Sequence, residues 1–586
     1  MSTPDTLFHN ATVIDGSGTT PRYLASVLVS DGLIHSIIRG ENAYTAPDLS
    51  EIRESGTKVI DCEDGKWVLS PGFIDMHAHS DLSLLHTPAH LAKITQGVTM
   101  EVVGQDGISY APVDDASMAR IRAQIAGWNG NPADPGFFER WRSVREYLDV
   151  LDREKIATNV AYLVPQGNLR ILVKGWDSSP ATPEEVEKMK VLLARAMEEG
   201  AVGMSSGLTY VPGMFASDEE LGELCQVVRK YGGYYCPHTR SYGKGALKAY
   251  GEMIELARKT GVRLHLTHAT MNYEENKGRA NELVAMIDEA IRDGVDISLD
   301  TYPYLPGSTT LASTLPSWAA SAKDPVAVLD DPDQLAKIKH EALIKGTDGC
   351  HGCTLHWDLL EIGGVRNKDL IPLYVGKTIS QIASEQNADP FDTYVKILKD
   401  DSFDSTILSH SGHEPNVRLI MRHPRHTGGS DGILTSTKPH PRGWGTFARY
   451  LGHYARDLAR GRSRDIYHAS ETNAFDAVEP ETIFAGGLEE AVAHLTSRPA
   501  NIIRARDRGL VSEGYKADLV LFDPEVILDD ATYADPQRPA KGIRTVVVNG
   551  VVVLDEGVPN ERRAGRTVRL RHGEEDEVGE GEWEVR

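Results

Sequence analysis

The chain of 586 residues has no run of about 18 apolar residues and so no segment that reads as a membrane span. Its start, Met1-Ser2-Thr3-Pro4-Asp5, lacks both the basic region and the apolar region of a secretory signal, which predicts a soluble, cytoplasmic protein. Cysteine is scarce: five residues, an odd number scattered over a long chain, do not read as a disulfide framework. The single close pair, Cys350-His351-Gly352-Cys353, has no second pair near it to close a zinc site and reads as two reduced thiols on a loop. Positive charge is also short. The net charge of -23 repels phosphate backbones and anionic lipid, which argues against nucleic acid or a membrane as partner and leaves a small molecule as the expected one; the oligomeric state is not legible.

What is present is a soluble globular composition, 40% hydrophobic and 25% charged, in a chain long enough for one large domain and a smaller companion. Both ends are rich in strands. Asp31-Gly32 stands between the apolar runs 25–29 and 33–37, and Asn549-Gly550 between Val546-Val547-Val548 and Val551-Val552-Val553-Leu554; residues that tolerate positive φ between two such runs predict tight hairpins. Ala517-Asp518-Leu519-Val520-Leu521-Phe522 reads as a further strand. Neither end has enough apolar surface to stand alone, so 1–68 and 505–570 are expected to form one β-domain, followed by an acidic tail over 571–586.

Between the ends, strands alternate with helices, the pattern of a parallel sheet. Thr182-Pro183-Glu184-Glu185 and Ser217 with Glu220 mark helix starts, the second helix stopping at Gly232-Gly233. Eight apolar runs end near His79, Asp106, Gln166, Ser206, His238, His268, Tyr302 and Asp431, which predicts an α/β fold of the (β/α)8 type over 69–504, with strand ends converging on one mouth. His77 and His79 open the series. Side chains two apart on a strand share a face, yet 21 histidines would give roughly 0.75 such pairs by chance, so the pair is informative only with the other strand ends. His238, His268 and Asp431 at later ends supply imidazole and carboxylate, a donor set suited to zinc, and their spread over several strands fits an open catalytic site. His265 reads as a hydrogen-bonded core residue, and Glu101, at odd spacing from Asp106, as facing away from the mouth.

The chain resembles the amidohydrolase superfamily and, within it, the N-acyl-D-amino-acid deacylases (D-aminoacylases), from about residue 5 to 570. The matching motifs are Gly72-Phe73-Ile74-Asp75-Met76-His77-Ala78-His79-Ser80-Asp81, Gly97-Val98-Thr99 with Val102-Val103-Gly104, Ser206-Gly207-Leu208-Thr209-Tyr210-Val211-Pro212-Gly213, Asp300-Thr301-Tyr302-Pro303-Tyr304 through Gly307-Ser308-Thr309, Gly429-Ser430-Asp431-Gly432, and His440-Pro441-Arg442-Gly443. The resemblance implies a barrel with a discontinuous β-sandwich and an insertion at about 315–405. It implies a tight zinc on His238 and His268, and a second, weaker or vacant metal position lined by His77, His79 and Asp431. Tyr210, Tyr302, Ser308 and Arg442 fall where the family contacts substrate, and the planar fork of Arg442 suits a substrate carboxylate.

Three departures stand out. Gly104-Gln105-Asp106-Gly107 has Asp106 where the deacylases place a cysteine ligand; oxygen is harder than thiolate, so weaker zinc retention and more tolerance of manganese or cobalt are expected. Ala269-Thr270 replaces the family's lysine after the sixth-strand histidine, and Val164-Pro165-Gln166-Gly167 replaces its Gly-His-Gly. The expected activity is metal-dependent hydrolysis of a C–N amide bond, with Asp431 as proton carrier on an N-acyl-D-amino acid or related amide. Opening of a cyclic amide or lactone, cleavage of a dipeptide, turnover of a specialised metabolite, or a barrel kept as a non-catalytic scaffold are the alternatives.

Overall fold

The computed structural model describes residues 5–40, 44–464, 466 and 475–570; the acidic tail at 571–586 lies outside them. Eight parallel strands form the central sheet: β1 (Phe73–Asp75), β2 (Val98–Val103), β3 (Asn159–Pro165), β4 (Gly203–Gly207), β5 (Tyr234–His238), β6 (Arg263–Leu266), β7 (Ile297–Thr301) and β8 (His426–Gly428). They neighbour one another in chain order. The sheet curls until its ends meet: the Met76 amide donates to Gly428 (3.1 Å), the Asp431 amide to His77 (2.8 Å), and Ala78 bridges Gly432 in parallel. Closure therefore clamps together the two loops that carry His77, His79 and Asp431.

Helices follow the strands for the reasons legible in the sequence. Thr182 accepts from the Glu185 amide at the head of Pro183–Glu198, and Ser217 from the Glu220 amide at the head of Asp218–Lys230, each occupying amides that the first helical turn leaves without partners. Gly232, at φ +70°, reverses the chain after the second helix.

The two chain ends join in one nine-stranded sheet. Both hairpins form, with Asp31, Gly32, Asn549 and Gly550 at φ between 48° and 80° as the tight turns require. The seam is the antiparallel pair Val68–Pro71 and Leu519–Phe522, in register Val520 to Ser70. One residue later the chain enters β1. At that switch Gly72 lies against Thr99, and a Cβ there would stand 2.2 Å from the Thr99 methyl, so only glycine fits.

Between β7 and β8 lies an inserted unit with its own three-stranded antiparallel sheet, Gly307–Thr310, Thr406–Ser409 and Leu360–Gly364, and its own apolar core including Leu311, Ile362, Tyr394 and Ile407. Its sheet draws on residues on both sides of 315–405, because the two outer segments pair with each other across the insertion. Among the described residues no helix is long and apolar enough to cross a membrane.

Candidate metal centre

Each buried ligand candidate sits at or just past the carboxyl end of a barrel strand. Strand pairing of β1 stops at Asp75 and the chain bends at Met76 and His77 before the bridge at Ala78, and His77 and His79 converge with their Nε2 atoms 3.3 Å apart. Asp106, His268 and Asp431 have φ of 54°, 31° and 50°, a left-handed conformation costly for residues with a Cβ. Strained backbone at three neighbouring side chains is characteristic of sites whose geometry is imposed by the surrounding fold.

Asp106 is the hub. Its Oδ1 lies 3.7 Å from His77 Nε2 and 3.5 Å from His268 Nε2, and its Oδ2 lies 3.6 Å from His79 Nε2 and 3.4 Å from His238 Nδ1. Asp431 Oδ1 stands 3.2 Å from His79 and 3.6 Å from His77. The potential ligand atoms fall into two groups, His77, His79, Asp106 and Asp431, and Asp106, His238 and His268, each within 4.8 Å. Asp106 belongs to both, so the residues expected to divide between two positions share a carboxylate.

The contacts of Asp106 are long for hydrogen bonds. Asp106 Oδ1 and His238 Nδ1 are buried without a hydrogen-bond partner. Two atoms each about 2.0–2.1 Å from a tetrahedral ion stand roughly 3.3 Å apart, which matches the spacing here. The imidazole and carboxylate donors thus fit a divalent metal cofactor.

Neighbouring polar groups orient the imidazoles. The Thr209 hydroxyl meets His238 Nε2 at 2.9 Å, so Nδ1 is the atom presented to Asp106, and the Thr267 hydroxyl holds His77 Nδ1, leaving Nε2 inward. Asp300 accepts from the His268 amide (2.9 Å) and pairs with His265 Nε2 (2.9 Å), which places His265 in a structural network away from the mouth. Glu101 faces elsewhere too, bonded to Ser80, His90 and Thr158.

Charge is concentrated and buried. Burial opposes a proton on His79, but Asp106 and Asp431 on either side outweigh it and raise its pKa to about 10. At His77 burial wins, and the imidazole falls to about 4. Burial also works against the Asp431 carboxylate, yet Arg442 and the histidines hold it well below the usual carboxylate range.

A cavity of about 860 Å³, including its open mouth, begins at these side chains. Tyr210, Tyr302 and Ser308 line it. Arg442 does not itself line the cavity. Its Nη1 stands 2.9 Å from Asp431 Oδ2, its guanidinium lies 4.5 Å from the Tyr302 ring centre, and its Nη2 donates to the Ser308 carbonyl (3.4 Å). Gln166 donates to Glu220 at 2.8 Å, tying its strand end to the helix behind it. Beyond the expected residues, Trp128, Tyr242, Tyr273 and His351 also form the wall. His351 comes from the inserted unit; the residue is half-buried, its Nδ1 is shielded from solvent without a hydrogen-bond partner, and desolvation reinforced by His238 and His268 drives its pKa down to about 3. The only signal for it was the Cys350–Cys353 loop, whose cysteines are free and buried.

Comparison with known proteins places these features. The model of the amidohydrolase family matches residues 58–554. The chain is 30% identical over 564 residues to a D-aminoacylase of Alcaligenes xylosoxydans xylosoxydans, spanning 96% of this chain and 97% of that protein. Among solved structures it is similar to N-acyl-D-glutamate deacylase from Bordetella bronchiseptica, complexed with zinc and a phosphonate mimic of the tetrahedral intermediate: TM-score 0.75, 29% identity, 97% and 100% of the two chains. It is likewise similar to a D-aminoacylase with a binuclear metal centre, for which one-metal activation and second-metal attenuation are described: TM-score 0.74, 30% identity, 96% and 99% coverage.

Proposed function

Because the chain belongs to the amidohydrolase family, on its N-acyl-D-amino-acid deacylase branch, we propose that it hydrolyses the amide bond of an N-acyl-D-amino acid or a closely related small amide, with zinc as the resident metal. The observation that carries this reading is the shared position of Asp106 among four imidazoles, with Asp431 and the cavity directly beside it. His238, His268 and Asp106 would hold the principal ion; His77, His79 and Asp431, with the same Asp106, would form a second, weaker position. Manganese and cobalt should substitute more readily than at a thiolate site. A bound divalent ion there supplies Lewis acidity, polarising a carbonyl and lowering the pKa of water.

The chain's own residues account for the remaining chemistry. Asp431 Oδ1 accepts the proton of the attacking water. Arg442 on Oδ2 keeps the carboxylate ionised beforehand and makes the captured proton easy to release to the leaving amine nitrogen. Ser308 and Tyr302, with the Arg442 guanidinium behind them, receive the carboxylate of the amino acid.

Assays with N-acyl-D-amino acids, their L enantiomers and cyclic imides, on zinc-, manganese- and cobalt-loaded protein, test the reading. Turnover confined to the D-acyl compounds is expected; turnover of cyclic imides alone would replace it. Asp431→Asn should lower kcat by about 10²–10⁴-fold while the principal ion is retained by elemental analysis.

A further inference from the structure

A second chamber of about 1320 Å³, mouth included, shares Trp128, Thr209, Tyr210, Ser313 and Gly349 with the metal-side cavity, so the two are neighbouring rooms with a common wall. The outer room has large apolar groups in its wall, Trp176 and Met214 on the barrel side and Leu315 and Phe403 on the inserted unit, with the charged groups of Arg120, Lys323 and Asp404 also lining it. The residues assigned to the amino-acid carboxylate, Tyr302 and Ser308, line only the inner room. The groups assigned to the carboxylate thus stand next to the metal ligands, and the large apolar side chains lie beyond Trp128 and Tyr210, with charged groups among them. That division matches a ligand with a charged end and an extended apolar end.

We propose that the outer chamber is a subsite for an extended apolar substituent of the substrate, an alkyl or aryl chain long enough to pass the Trp128–Tyr210 wall. The inference rests on the amide-hydrolase reading and narrows it: the preferred substrate is a long-chain or aryl-bearing amide, and N-acetyl compounds are the minimal ones. The rings of Trp128 and Tyr210, 4.7 Å apart and edge to face, form the flank along which the chain passes. Each methylene buried there strengthens binding about fourfold. The substituent can be carried on the acyl carbon or on the amino-acid side chain, and the chemistry recognised is the same.

The test uses the full-length, zinc-loaded protein as Asp431→Asn, so that ligands bind without turnover, and measures affinity by calorimetry for N-acetyl-D-leucine, N-octanoyl-D-leucine and N-acetyl-D-2-aminodecanoate. At least one extended compound should bind ten- to a hundredfold more tightly than N-acetyl-D-leucine, and which one shows the side that carries the chain. Ala312→Trp and Met214→Trp, added separately, fill the outer room from opposite walls; neither residue lines the inner one. Each should remove the advantage and leave N-acetyl-D-leucine affinity within about twofold. Equal affinities for all three compounds, absent binding of the extended ones, or an advantage that survives both tryptophans would overturn the proposal. Turnover by the unmutated protein is read separately: if none of the three is hydrolysed, the amide-hydrolase reading fails, while the affinity comparison still decides the chamber.

Discussion

Replacing Asp106 with cysteine exchanges a hard oxygen donor for a soft thiolate at the atom common to both ligand groups. Asp106→Cys should retain zinc through dialysis against a chelator that strips the unmutated protein, and should lose activation by manganese. Asp106→Ala should leave the protein folded with little bound metal by elemental analysis. The same residues make metal uptake depend on pH. In the metal-free site His79 keeps its proton up to about pH 10, held by Asp106 and Asp431, whereas His77 is neutral above about pH 4. A metal that takes His79 must displace that proton, so affinity at that position should rise about tenfold per pH unit below 10. Calorimetry in buffers of different ionisation enthalpy should show close to one proton released; no release would mean that His79 is not a ligand.

At the scale of single elements, the ends of the strands need rigid support from the helices behind them. Arg170 and Glu220 form an ion pair with almost no exposure, linking the helix Gln166–Lys174 to the helix Asp218–Lys230, and Glu220 also receives the Gln166 amide. Glu220→Ala leaves a buried guanidinium unpaired and should cost about 3–5 kcal/mol of stability in denaturant unfolding, with metal content unchanged in the folded fraction. The helix itself was readable from Ser217, Glu220 and the two glycines that end it, because caps and turns are local chemistry. The ion pair was not, since Arg170 and Glu220 are 50 positions apart and meet only when β3 and β4 lie side by side.

For the whole molecule, the terminal sheet and the barrel are one mechanical object. Val68–Pro71 pairs with Leu519–Phe522 and runs on into β1, and Phe522 packs 6.4 Å from Phe73. Deleting residues 516–586 would strip that strand of its partner and expose the apolar face of β1, so the truncated chain should aggregate on size-exclusion chromatography and bind no zinc. Metal itself is a stabiliser of the folded state: free zinc at a hundred times its Kd should add about 2.7 kcal/mol, seen as a higher Tm that a chelator reverses.

The sequence by itself determined everything set by local spacing and residue chemistry: the two hairpins at Asp31-Gly32 and Asn549-Gly550, the capped helices, the alternation that makes a parallel barrel, and the strand ends at which His77, His79, Asp106, His238, His268 and Asp431 stand. These features need only neighbouring residues to be specified. Tertiary structure alone decided the relations between distant segments. Closure of β8 onto β1 put Asp431 beside His79, and left-handed backbone at Asp106 aimed one carboxylate at four imidazoles. The same folding set Arg442, expected at the substrate carboxylate, 2.9 Å from Asp431, where its charge keeps that carboxylate ionised. The inserted unit brought His351 and the wall of the outer chamber to the same mouth. Such contacts join residues tens to hundreds of positions apart, and one sequence records the residues but not the distances between them.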